Sequence, residues 1–94
     1  MSKKSKPFDI AEHIDDPAVF LSAAIADAAG DPEIILSAIN IAARAQNMSQ
    51  LARECNISRE GLYRALAPGG NPSFATVAKL LELLGVQMAG VPAK

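Results

Sequence analysis

The spacing of apolar side chains along the chain predicts a series of helices. Apolar positions three and four residues apart repeat over residues 17–29. The inward members of this repeat are Phe20, Leu21, Ala24, Ile25 and Ala28. Residues 32–46 are apolar nearly all round and leave only one polar stripe, Ser37, Asn40 and Arg44. Because such a helix is typical of a buried position, we expect residues 32–46 to form the central helix.

The first two predicted helices carry the same start signal. Asp16-Pro17 and Asp31-Pro32 each place a capping carboxylate before a proline at the first helical position. Gly30 is expected to end the first helix, since glycine readily adopts the left-handed backbone that closes many helices. The two helices are therefore predicted to be neighbours joined by a short turn.

Two shorter helices are predicted next. Ser49 is expected to cap a helix that ends near Cys55, and Ser58 to cap a helix that ends near Leu66. Residues 68–72 contain two prolines and two glycines, and this composition predicts a loop.

A last helix is expected over residues 74–84, with Gly85 as its stop. Its predicted inward face is Phe74, Val77, Ala78, Leu81 and Leu84. Leu83 lies off that face, which leaves open a dimer contact or an ordinary exposed leucine. Residues 86–88 are open to a short strand, and residues 89–94 are expected to be frayed.

Composition favours an all-α fold. Half of the residues are apolar and only 4% are aromatic, so the apolar content is mainly Ala, Leu and Ile, which suit close-packed helices. A chain of 94 residues has room for one compact core but not for a separate catalytic domain. We therefore expect a partly flexible arm over residues 1–15 and a single helical domain over residues 16–88.

The residue types that support catalysis or metal binding do not cluster in the sequence. Cys55 is the single cysteine, and no other Cys or His lies at metal-ligand spacing from it. His13 has no nucleophile or orienting acid at a diagnostic spacing. We predict no catalytic residue, no metal and no cofactor, and hence no enzyme.

The start of the chain predicts a soluble cytoplasmic protein. Lys3, Lys4 and Lys6 are followed by Phe8 and Asp9, where a signal peptide or membrane span would need a long apolar stretch. A single cysteine also fits a reducing compartment.

Charge is segregated along the chain although the net charge is only −1. Residues 7–43 contain no Lys or Arg, and their charged side chains are Asp9, Glu12, Asp15, Asp16, Asp27, Asp31 and Glu33. Residues 44–94 hold more bases than acids. Because partners respond to local fields, the two halves are expected to meet different partners.

The sequence SQLARECNISREGLYRAL, residues 49–66, has the order of a helix-turn-helix: a short helix, a tight turn and a second helix. Its predicted inward positions are Leu51, Ala52, Cys55, Ile57, Leu62, Ala65 and Leu66. Asn56 stands at the turn position where glycine is usual, and asparagine tolerates the left-handed backbone required there.

The second helix of this motif is the predicted recognition helix, because its outward side chains are polar. The predicted DNA-binding residues are Gln50, Ser58, Arg59, Glu60, Tyr63 and Arg64. Glu60 is placed either to read a cytosine amino group or to pair with Arg64. Tyr63 is placed either to contact DNA or to pack across the helix surface. Gly61 lies within the predicted recognition helix although glycine has a low helix propensity. A close approach to DNA or to a neighbouring helix would each explain a glycine there.

Several segments together resemble a known family. They are Phe8-Asp9, Asp15-Asp16-Pro17, Gly30-Asp31-Pro32, residues 49–54 and especially residues 58–85. Over nearly its whole length the chain resembles the HigA-like probable addiction module antidote proteins, within the lambda-repressor-like, XRE-type helix-turn-helix superfamily.

This resemblance implies a five-helix domain that binds double-stranded operator DNA through residues 58–66, acts as a homodimer and represses its own operon. It also implies neutralisation of a small basic toxin of the RelE/ParE superfamily, for which the acidic first half offers complementary charge. The alternative is a stand-alone XRE-type repressor without a toxin, since both share fold and DNA contact.

Overall fold

A computed structural model describes residues 9–93 of the chain. Over this range the regular structure is entirely helical, with one turn of 3₁₀ helix at Ile10–His13 followed by five α-helices and no strand. The helices are α1 (Pro17–Asp27), α2 (Pro32–Gln46), α3 (Met48–Glu54), α4 (Arg59–Leu66) and α5 (Phe74–Leu83). The prediction of an all-α, five-helix fold is confirmed for the described residues, and residues 1–8 of the predicted arm lie outside them.

Aspartate caps begin the first two helices as predicted. The carboxylates of Asp16 and Asp31 each accept hydrogen bonds from two backbone N–H groups of the following turn. Such a cap is worth about 1 kcal/mol relative to alanine. Helix α1 ends at Asp27, two residues earlier than expected, because Ala29 as well as Gly30 has a left-handed backbone (φ 53° and 83°).

Helix α3 begins two residues earlier than the sequence predicted, at Met48 instead of Gln50. The side chain of Asn47, and not that of Ser49, caps the helix by accepting the Gln50 N–H at 3.0 Å. Met48 is buried in the core, so the chain has already turned inward before Ser49, which stays exposed. The predicted Ser49 cap is therefore wrong.

One apolar core joins all five helices. Its fully buried side chains are Leu21, Ile39, Leu51, Leu62, Leu66 and Leu80. Helix α2 contacts the 3₁₀ helix and each of the other four α-helices. The prediction that residues 32–46 form the central helix is confirmed.

The inward face of α5 differs from the predicted one at two positions. Phe74 is 72% exposed, whereas Leu80, which the prediction omitted, is completely buried. Side chains of a helix lean towards its N-terminus, so Phe74 at the first position overhangs the core edge. Leu83 is half-buried against the core and is not an exposed leucine. Residues 86–88 form no strand.

Candidate nucleic-acid interface

The turn between α3 and α4 depends on one left-handed residue. Asn56 has φ 65°, as its predicted role requires. Its N–H donates to the carbonyl of Arg53 at 3.1 Å, and the next N–H, of Ile57, donates to the carbonyl of Ala52 at 3.0 Å. These two bonds form a Schellman motif, which ends α3 and satisfies its last carbonyls.

The same turn places Ile57 at the surface. Ile57 was predicted to point into the core, but it is 37% exposed. The left-handed residue before it redirects the chain away from the core, so helical periodicity carried through the turn gives the wrong side. Cys55, at the end of α3, is half-buried against the core as expected.

Ser58 caps α4 as predicted. Its hydroxyl oxygen accepts the N–H of Gly61 at 2.9 Å. A Cβ at Gly61 would lie 3.0 Å from that same oxygen, which is tighter than ordinary van der Waals contact. The nearest constraint on Gly61 is therefore the capping hydroxyl, and the Ser58 hydroxyl hydrogen remains available to an acceptor outside the helix.

The predicted recognition side chains all lie on the exposed side of α4. Arg59, Glu60, Tyr63 and Arg64 are exposed. The guanidinium of Arg59 lies 5.4 Å from the centre of the Tyr63 ring and reaches the Tyr63 hydroxyl at 3.5 Å. Tyr63 thus packs across the helix surface beneath Arg59. Its contact with DNA stays a prediction.

Arg64 has no carboxylate partner within residues 9–93. Over that range Arg44 pairs with Asp9 and Lys79 pairs with Glu82. The Glu60–Arg64 pair, one of the two alternatives for Glu60, is therefore not formed. The charge of Arg64 stays uncompensated on the outer face of α4.

Gln50 lies in the first turn of α3 with an exposed side chain, and α3 and α4 are in direct contact. Its backbone N–H is used by the Asn47 cap, which leaves the side-chain amide outside the cap. All six predicted residues therefore lie exposed on this helix pair or on the turn between its helices.

A polar network beneath α4 was not predicted as part of the site. The side-chain amide of Asn40 on α2 donates to the carbonyl of Leu66, the last residue of α4, at 3.0 Å. Arg44 donates to the Asn40 side-chain oxygen at 2.9 Å and to both carboxylate oxygens of Asp9 at 2.7 Å. The sequence signal for this network was the polar stripe of Ser37, Asn40 and Arg44 on the otherwise apolar helix α2.

This network also sets the titration of Asp9. The hydrogen bond from Arg44, followed by the one from the Ala11 backbone N–H, lowers the pKa of the Asp9 carboxyl below its ordinary value of 3.8. Asp9 therefore stays ionised through mildly acidic pH and keeps its bond to Arg44.

The described residues show little that would support other chemistry. Burial raises the pKa of the Cys55 thiol above its ordinary value of 9.0, which favours the protonated and less nucleophilic form. No cluster of three His, Cys, Asp or Glu side chains able to hold a metal ion occurs in residues 9–93. Over the same range, each helix is too short or too polar to cross a membrane.

Comparisons with known proteins place the chain in a family. The chain is 46% identical over 90 residues to an uncharacterized protein of Haemophilus influenzae, an alignment that covers 93% of this chain and 91% of that protein. No solved structure gave a significant match. A family model described as "probable addiction module antidote protein" matches residues 4–92, and an antidote in general implies a toxin as its partner. Because that match spans nearly the whole sequence, the chain belongs to the family of probable addiction module antidote proteins.

Proposed function

We propose that the protein is the antitoxin of a type II toxin–antitoxin pair, which binds operator DNA through α3 and α4 as a HigA-like, XRE-type helix-turn-helix. In this proposal it represses its own operon and neutralises a small basic toxin of the RelE/ParE superfamily. Family membership supports the antidote role. The DNA-binding role rests on the geometry of α4.

The observation that carries the DNA-binding role is the exposed pair Arg59 and Arg64, neither of which forms an ion pair within residues 9–93. They lie on a helix of eight residues, which is about 12 Å long and comparable to a major groove about 12 Å wide. Arginine is the side chain that most often makes bidentate contacts to guanine, and it also binds phosphates.

A homodimer would place two copies of α4 in successive turns of the major groove, about 34 Å apart. Arg59 is held over the Tyr63 ring, which reduces the side-chain entropy that binding would cost. The Asn56 turn and the Asn40 bond to the end of α4 fix the helix on the core. These contacts favour a recognition helix that is ordered before it meets DNA.

The test is binding of the full chain to a DNA fragment from upstream of its own gene. Arg59→Ala with Arg64→Ala should weaken binding by about a hundredfold or more, since each lost contact costs about 1–3 kcal/mol. The melting temperature should change little, because both side chains are exposed. Lys79→Ala removes a positive charge from α5, outside the α3–α4 pair, and serves as the control.

Wild-type affinity in the double variant would place the DNA interface elsewhere. The toxin part of the proposal is tested separately, by binding to the protein encoded next to this chain. A chain that binds the operator but not that protein would be a stand-alone repressor.

A further inference from the structure

The outer side of the α1–α2 hairpin carries an exposed apolar groove. Ile34 on α2 is 50% exposed, and it shares the groove with the half-buried side chains of Phe20 on α1 and Ile41 on α2. Buried Ala38 also lines the groove. Exposed apolar side chains that lie next to one another often mark a site that binds another molecule. Single, scattered exposed apolar side chains do not.

One carboxylate lines this groove, and two more lie at the turn of the same hairpin. Glu33 lines it directly, and it is exposed. Asp27 ends α1 and Asp31 caps α2, so two more exposed carboxylates lie where the hairpin turns. No Lys or Arg occurs between residues 9 and 43 to offset them. The groove therefore combines an apolar centre with the carboxylate of Glu33 at its edge, on a hairpin whose charged side chains before Arg44 are acidic.

We propose that this surface, the α1–α2 groove defined by Phe20, Glu33, Ile34 and Ile41, is where the antitoxin binds its toxin. The inference rests on the proposed function and adds the surface and the chemistry of the contact. A basic toxin places an apolar side chain against Ile34 and Phe20 and arranges Lys or Arg side chains around it. An apolar anchor within a rim of complementary charge is the usual arrangement of a specific protein interface.

The charges disfavour two other occupants of the groove, DNA and a second copy of this chain. DNA phosphates would be repelled by Glu33 and by the carboxylates at the hairpin turn. A second copy pairing the same groove with itself would bring like charges together. The positive side chains without an ion pair in residues 9–93 are Arg53, Arg59 and Arg64, on the helix pair that the proposed function assigns to DNA.

The experiment compares two variants with the same charge change. The test variant carries Glu33→Lys and Ile34→Lys, and the control carries Glu82→Lys and Met88→Lys. Met88 is 51% exposed, so it matches Ile34 in exposure, and Glu82 is an exposed carboxylate of α5. Full-length chains are titrated by calorimetry with the purified protein encoded by the adjacent gene. The test variant should bind it at least tenfold more weakly than wild type, and the control should bind within about twofold.

Three results would overturn the inference while leaving the proposed function intact: wild-type affinity in the test variant, equal weakening in both variants, or a change of the free protein from dimer to monomer in the test variant alone. Failure of the wild-type chain to bind the adjacent gene product would instead contradict the toxin-binding function itself. Circular dichroism and thermal melting check folding. If the lysine pair unfolds the protein, Ile34→Gln alone replaces it, and a loss of at least threefold is expected.

Discussion

The α1–α2 hairpin and the α3–α4 pair are each two helices joined by a short turn, but different side chains cap their helices. In each pair a short connection passes through left-handed backbone, at Ala29 and Gly30 in the first and at Asn56 in the second. The caps differ in charge. Aspartates begin α1 and α2, whereas the neutral side chains of Asn47 and Ser58 begin α3 and α4.

This difference matters because a helix N-terminus carries partial positive charge. An aspartate cap offsets that charge, while a serine or asparagine cap satisfies the same N–H groups and leaves the charge in place. Capping therefore contributes to the segregation of charge: it reinforces the acidic surface of the hairpin and preserves the positive end of α4. The hydrogen bonds of a cap stabilise its helix in both pairs, whereas the charge of the cap affects which partner the helix N-terminus can bind.

The two surfaces should differ most in their response to salt. If a dimer makes about six to ten phosphate contacts, the DNA affinity should fall about 10³- to 10⁵-fold between 50 and 200 mM salt. Binding at the apolar centre of the α1–α2 groove should fall far less, since burial of apolar surface is not screened. Parallel titrations of operator DNA and of the adjacent gene product measure both slopes. A flat salt response of DNA binding would contradict the phosphate interface.

Exchanging the cap of α4 for the type used in the hairpin should separate stability from recognition. Ser58→Asp keeps an oxygen for the Gly61 N–H but adds a negative charge where we expect a phosphate. DNA affinity should fall about tenfold to a hundredfold, because a like charge at about 6 Å costs roughly 1–3 kcal/mol. The melting temperature should stay the same or rise slightly.

The matched control for this exchange is Ser73→Asp, since Ser73 caps α5 in the same way and accepts the Thr76 N–H at 3.1 Å. It should leave DNA binding unchanged. Equal effects at Ser58 and Ser73 would point to net charge, and no effect at Ser58 would move the phosphate away from the start of α4.

The Asn40 network connects the two regions and should have a smaller effect when it is cut. Asn40→Ala removes the donor to the Leu66 carbonyl and the acceptor of Arg44. A partly buried carbonyl without its donor costs about 1–3 kcal/mol, so the free energy of unfolding should fall by about that amount. Ser37→Ala, on the same stripe of α2 but exposed, is the control. An Asn40 variant as stable as the control would show that water replaces the lost bond.

Much of the helical pattern could be predicted because its signals are local. Asp16, Asp31 and Ser58 act on N–H groups two or three residues away, and the left-handed turn at Asn56 is a property of that residue and its immediate neighbours. The errors arise where local signals compete. Asn47 and Ser49 are both good caps, and only the burial of Met48 decides between them.

The tertiary contacts of the site could not be predicted from the periodicity of apolar residues. The Asn40–Leu66 bond joins residues 26 apart and the Arg44–Asp9 pair joins residues 35 apart, so neither partner identifies the other in the sequence. The exposure of Phe74 depends on where the core ends, not on the phase of its helix. The groove around Ile34 likewise exists only after α1 and α2 have packed, because its side chains come from both helices.

The smallest effect on stability is expected at Asp9, because its ion pair with Arg44 is partly exposed to solvent. The pKa of Asp9 is lowered in the folded protein, so its contribution to stability is present above the ordinary pKa of 3.8 and is lost as the pH falls through the lowered value. Asp9→Asn keeps an oxygen for the Ala11 N–H and removes the charge. Wild type should therefore melt slightly above this variant at pH 6, and the difference should vanish as the pH falls below 3.8. Melting curves of both proteins over that range isolate the contribution of Asp9, because the two chains differ at that residue alone, and a difference that persists in acid would assign the effect to packing.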